Sequence, residues 1–302
     1  PYCDFNIEVN KKDGDEELLL KAIIEDLDQS AHYINKRKFA SVYFGGGTPS
    51  LVSVKIIEQL INKLKNDGLL KKECEINFEL NPKEVTKNYL DDLVVAGINR
   101  ISIGIQSFDQ KTLTSLERNH KSEDAFNAIS LASNMKSINT TIDLIYGIMD
   151  QDLNSLSSDL KIFCDYEIDH LSLYQLTIEP NTIFYKKELR LPSDQLVEFM
   201  EREAEQILNK NGLFQYEVSS WARDGRKSKH NMNYWMYGDY LGVGPGAHSK
   251  ITTNDCIKRM IKLKKTSSYI HDPSKTTDTL ITSEGYDLDL AMNLLRVKSG
   301  LS

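Results

Sequence analysis

Five short runs of β-branched and apolar residues recur along this chain, each followed by a stretch of different rhythm, and that alternation limits the fold more than any other feature. The runs are SVYFGGG (41–47), EINFELNP (75–82), RISIGIQSF (100–108), TTIDLIYGI (140–148) and HLSLYQLTIEP (170–180). Between them, VKIIEQLINKLKNDG (54–68) sets Ile57, Leu60, Ile61 and Leu64 on one helical face, with Gly68 as its stop. EDAFNAISLASNM (123–135), LNSLSSDLKIF (153–163) and SDQLVEFMEREAEQILNKNG (193–212) repeat the helical pattern. Strands alternating with amphipathic helices predict an α/β fold on a parallel sheet with right-handed crossovers, either open or curled into a barrel. In both forms the functional loops follow the carboxyl ends of the strands. A series that opens on a loop implies a further strand ahead of Pro1. From about Arg223 the text turns rich in Gly, Tyr and Lys without a clear period, so residues 1–222 and 223–302 are expected to form a large and a smaller region.

With 302 residues, 40% apolar and 27% charged, the chain can bury a large core. Its 37 basic and 44 acidic residues give a net charge of -7, which offers no general attraction to nucleic acid or to an anionic membrane. No apolar run approaches the roughly 18 residues that span a bilayer, and the amino end does not read as a signal peptide, so a cytoplasmic setting is expected. Cys3, Cys74, Cys164 and Cys256 are scattered without a C-x-x-C pair, so neither a disulfide framework nor a zinc ribbon is written here.

The chemistry gathers at the strand ends. GGGTPS, Gly45 to Ser50, follows one strand and precedes a helix; its glycines suit either a tight turn or close backbone approach to a carboxylate, amine or phosphate. Glu79 and Asn81 in FELNP, Gln106 in GIQSF and Asp143 in TIDLIYG are polar groups in apolar runs, and each needs a partner if buried. Convergence at one end of successive strands favours a shared polar ligand over separate internal hydrogen bonds. Arg118 in SLERNH lies in a helix-sized segment after Gln106, either as a charge partner at the same mouth or as a solvated side chain. In HNMNYW (230–235), His230 beside Tyr234 and Trp235 could ligate a metal or heme iron, or be a structural histidine. Gly242, Gly244 and Gly246 suggest close packing or a loop at a cavity.

PYCDF, GGGTPS, FELNP, RISIGIQSF, DLIYG, YQLTIEPNT and HNMNYW, taken together and in order, resemble the HemW branch of the radical SAM superfamily, whose close relatives are HemN, the oxygen-independent coproporphyrinogen III dehydrogenase. The resemblance implies a partial (β/α)6 TIM-like barrel, laterally open, with a smaller carboxyl-terminal region. It also implies a [4Fe-4S] cluster held by C-x3-C-x2-C, with Cys3 as the third ligand and the other two before Pro1, and S-adenosyl-L-methionine (SAM) on the open iron. Tyr2, Gly46, Gly47, Thr48, Glu79, Gln106, Arg118, Asp143, Thr177 and His248 are the implied SAM contacts. The H-N-x-x-Y-W motif implies heme as a further ligand, with His230 as its axial residue. The implied function is a heme chaperone that delivers heme to an acceptor protein, a membrane-associated one among the candidates; the alternative is coproporphyrinogen III dehydrogenation or another radical SAM reaction of porphyrin metabolism. GIMDQ (147–151) departs from the family's usual Gly-Leu-Pro-x-Gln, which leaves the turn after Asp143 open.

Overall fold

A computed structural model of the chain describes residues 1–2, 15–180, 182–253, 256–281 and 283–299. The elements run α1 (Asp15–Gln29), α2 (Ala31–Ile34), β1 (Phe39–Phe44), α3 (Val54–Asn66), β2 (Leu70–Leu80), α4 (Lys87–Ala96), β3 (Arg100–Gln106), α5 (Gln110–Ser115), α6 (Ser122–Ser133), β4 (Asn139–Tyr146), α7 (Leu153–Cys164), β5 (His170–Gln175), α8 (Asp194–Lys210), β6 (Phe214–Glu217), β7 (Ser220–Ala222), α9 (Lys229–Trp235), β8 (His248–Thr252), β9 (Ile257–Lys262), α10 (Thr266–His271), β10 (Thr276–Ile281) and α11 (Ser283–Leu294). Each of the five apolar runs overlaps a strand, and the four expected helices are α3, α6, α7 and α8.

Seven strands form one sheet in the order β1-β2-β3-β4-β5-β7-β6. From β2 to β5 the pairing is parallel and follows the chain without reversal. An open doubly wound sheet would change direction at a switch point; single-direction winding is that of a barrel. At the far end β7 pairs antiparallel with β5, and β6 with β7.

The Cα positions divide into two compact units, and the division falls within β2, between Glu75 and Ile76. The first unit comprises residues 1–2, Thr48–Leu51 and Ile76–Lys227. Its helices bury the stripes that their periodicity announces, such as Leu156, Leu160 and Phe163 of α7. The second comprises residues 15–47, Val52–Glu75 and the segment from Ser228 onward. There α3 buries Ile57, Leu60, Ile61 and Leu64, and Leu64 packs with Leu27 and Ile34 against Phe39 and Val42. The same unit holds an antiparallel sheet, β10-β9-β8, which the aperiodic text after Arg223 did not announce.

Candidate functional site

In the first unit the polar strand residues share one face because parallel register brings them level. Glu79 of β2 lies opposite Ser102 of β3, and Asp143 of β4 opposite Ser172 of β5. Ser102 Oγ donates to both carboxylate oxygens of Asp143, at 3.0 and 2.9 Å, and Ser172 bonds the same carboxylate. Tyr174, two residues beyond Ser172, extends the row and is 44% exposed, so water reaches this face. Burial pushes the Asp143 carboxyl up to about 7, opposed by the Ser102 hydroxyl and reinforced by the Glu79 charge. Asp143 therefore passes between hydrogen-bond acceptor and donor near neutral pH. Beneath the row, the buried Arg100 donates to Thr141 Oγ1 at 3.1 Å.

A second group forms above it. Arg118 donates to Tyr2 Oη and to the Gly104 carbonyl, each at 3.3 Å. A Cβ on Gly104 would meet Gln106 Nε2 at 2.9 Å and Arg118 at 3.7 Å, so the absent side chain is the space both polar groups occupy. Arg118 belongs to no helix: α5 ends at Ser115, and Glu117 has a φ of +53°. Tyr2 packs on a cluster of Leu116, Ile145, Ile148, Leu176 and Phe184. Asn81 serves the local turn, its Oδ1 accepting from Lys83 N at 3.1 Å and its amide donating to Asn119 Oδ1 at 3.1 Å. Thr48 opens the short turn Pro49–Leu51, its carbonyl accepting from Leu51 N. Thr177 is exposed, and its hydroxyl donates to the Gln175 carbonyl at 3.4 Å. The departure GIMDQ is closed by Asp150 at a φ of +56° and by Gln151 Oε1, which accepts from Ile148 N at 3.3 Å.

The second unit carries Gly46, Gly47, His230 and His248. Gly46 has a φ of +107°, which favours glycine whatever the space around it. His248 is exposed at the start of β8, and Gly242 lies so close that a Cβ there would meet the His248 carbonyl oxygen at 2.2 Å. For Gly242 this is the close packing of the two alternatives that the sequence left open.

His230 is fixed from several directions. The carboxylate of Glu75 receives the amino end of α9, accepting from Ser228 Oγ at 3.2 Å and from the Lys229 and His230 N–H groups at 3.1 Å each. Ser228 also caps the helix, its side chain accepting from Asn231 N at 3.2 Å. The imidazole stacks on Tyr43, ring centroids 4.3 Å apart at 19°, and meets the edge of Tyr234 at 4.9 Å. Ser41 Oγ lies 3.5 Å from Nδ1; among the described residues Nε2 has no hydrogen-bond partner. Burial pushes His230 down to about 4 against the pull of the Glu75 charge, so the ring is neutral at physiological pH. Trp235 Nε1 is buried without a partner among the described residues, and the Arg296 guanidinium lies 4.4 Å from the Trp235 ring centroid.

The described residues offer donors suited to the amino acid part of SAM and to heme iron. Arg118 Nε is buried without a partner among the described residues, at the Gly104 gap that also holds the Gln106 amide, which supplies donors suited to a carboxylate. His230 is a neutral imidazole with flat aromatic walls. Cys3 lies outside the described residues. Among those residues no group of three His, Cys, Asp or Glu is arranged for a metal, and burial pushes the Cys74 thiol up to about 11.

Ser102, Ser172, Gly104, Glu75, Ser41 and Tyr43 escaped the sequence reading. Ser102 and Ser172 had a signal, since each shares the alternation of its strand's polar face.

The Radical SAM superfamily profile matches residues 1–160. The heme chaperone HemW of Buchnera aphidicola (Acyrthosiphon pisum) is 37% identical over 297 residues, covering 98% of this chain and 79% of that protein. HemW of Haemophilus influenzae is 40% identical, covering 89% of this chain and 72% of its own length. Among solved structures, the coproporphyrinogen III oxidase HemN of Escherichia coli superposes with a TM-score of 0.81 over 98% of this chain and 72% of that one, at 22% identity. That likeness shows the fold to be the radical SAM partial barrel, and the sequence identities show that the chain belongs to the HemW family of the radical SAM superfamily.

Proposed function

We propose that this chain binds heme and passes it to an acceptor protein, on a scaffold that also binds SAM and a [4Fe-4S] cluster. The observation that carries the reading is His230: a neutral imidazole in H-N-x-x-Y-W, held by Glu75 and stacked on Tyr43, in a chain whose relatives in Buchnera aphidicola and Haemophilus influenzae are named heme chaperones. Neutral imidazole is the form that ligates iron. The anchored helix holds the ring in place before the ligand arrives, which reduces the ordering cost of binding.

The SAM contacts in this reading are Tyr2, Gly46, Gly47, Thr48, Glu79, Gln106, Arg118, Asp143, Thr177 and His248, with Cys3 as one cluster ligand. Together, SAM and a reduced cluster supply one-electron cleavage of a sulfonium C–S bond. The chain's own residues supply recognition: Arg118 donates to a carboxylate, Glu79 and Asp143 accept from ammonium and hydroxyl groups, and the Gln106 amide does either. Residues 1–222 carry the SAM contacts apart from His248, and 223–302 carry His248 and the heme motif. Among the described residues no helix is long and apolar enough to cross a membrane. A cytoplasmic location and a membrane-associated acceptor are part of this proposal.

The test is transfer. Heme-loaded full-length protein is mixed with membrane vesicles from heme-deficient cells, and the two fractions are then separated. Heme should leave the protein and appear in the vesicles. Retention on the protein contradicts delivery, and anaerobic release of 5′-deoxyadenosine that depends on coproporphyrinogen III would favour the enzymatic alternative.

A further inference from the structure

The turn that carries Gln106 is held by groups that the SAM reading does not use. Gln106 has a φ of +68°, a left-handed conformation that disfavours a residue with a Cβ by about 1–2 kcal/mol. The Ser107 N–H donates across it to the Ile105 carbonyl at 2.9 Å, closing a three-residue turn, and the register of β3 on β4 shifts between Ile103 and Gln106. Such a conformation persists only where its surroundings over-determine it.

Those surroundings are specific. His120 Nε2 donates to the same Ile105 carbonyl at 3.0 Å. From behind, Asp159 of α7, only 3% exposed, accepts from Ser107 Oγ at 2.6 Å and from Phe108 N at 2.9 Å. The Ser107 oxygen accepts in turn from Asp109 N at 3.0 Å. Asp159 occupies a core position of α7, in the stripe of Leu156, Leu160 and Phe163. An apolar side chain would pack there without the desolvation penalty of a buried carboxylate. Burial pushes this carboxyl up to about 6, and the hydrogen bonds from Ser107 and Phe108 offset that only in part. On the open side, the space left by Gly104 receives the Gln106 amide.

We propose that Asp159 is a positioning residue for the SAM site: through Ser107 and Phe108 it fixes the turn that presents the Gln106 amide. The proposal rests on the reading of Gln106 as a SAM contact. It requires no contact between Asp159 and SAM.

The experiment is equilibrium dialysis of labelled SAM against full-length, cluster-reconstituted protein as wild type, Gln106→Ala, Asp159→Asn and the double variant. Each single change should raise the SAM Kd by about tenfold or more. The double variant should bind no more weakly than Gln106→Ala alone, because the carboxylate acts through that amide. Ser107→Ala removes one of the two donors, should raise the Kd in the same direction, and keeps the test decisive if Asp159→Asn does not fold. Gln106→Ala losing affinity while Asp159→Asn or Ser107→Ala stays within about twofold of wild type overturns the positioning role. Additive losses in the double variant overturn it as well, since a merely structural carboxylate would act whether or not the amide is present. An unchanged Kd for Gln106→Ala overturns the SAM-contact reading and the proposal with it.

Discussion

Burial pushes the His230 imidazole down to about 4, and the neighbouring Glu75 charge only partly offsets it. A depressed histidine pKa keeps the ligating neutral form populated at every pH above that value. Heme affinity, measured by Soret titration across a pH series, should therefore be flat from pH ~8 to ~5 and fall only on approach to about 4. A loss centred near the ordinary imidazole value of about 6.5 would mean that the ring is solvated where heme binds. Glu79, Gln106 and Asp143 were legible as single residues because each interrupts an apolar run at a strand end. Asp159 and Glu75 follow another rule: each places a carboxylate at a buried position, and its partners are the Ser107 and Ser228 segments, distant in sequence. A pattern can mark such a carboxylate as anomalous, but it does not name the donors that satisfy it.

Helix α9 has seven residues, too few to hold its own ends in water, so its anchorage decides whether the heme motif is ordered. Glu75 and Ser228 supply that anchorage. Glu75→Ala should lower the stability of the heme-free protein by about 2 kcal/mol in urea unfolding and weaken heme binding in the same variant. Unchanged values of both would show that α9 is ordered by other contacts. The parallel strands β2 to β5 were readable because each is an apolar run beside an amphipathic helix. The sheet β10-β9-β8 was not, because cations occupy buried positions on both of its faces: Lys250 and Lys262 are only 2% and 6% exposed, paired with Asp239 and Asp26. Only the fold brings those carboxylates in, so the alternation of β8 and β9 reads as polar in the sequence.

Across the whole molecule the βα series predicted a parallel sheet and left its closure open, since a flat and a curled sheet bury the same helix faces. Strand order separates them: the order follows the chain from β1 to β5, and HemN superposes over 98% of this chain. The barrel was legible before that only through the family resemblance. The fold alone does not separate heme delivery from porphyrinogen chemistry, because one scaffold can host either. His230 does. The most direct measurement is an anaerobic heme titration of the full-length, cluster-reconstituted protein, following the Soret band in wild type and His230→Ala. The account predicts saturable binding by the wild type and a loss of about tenfold or more in affinity in the variant. Titrations that coincide would contradict it.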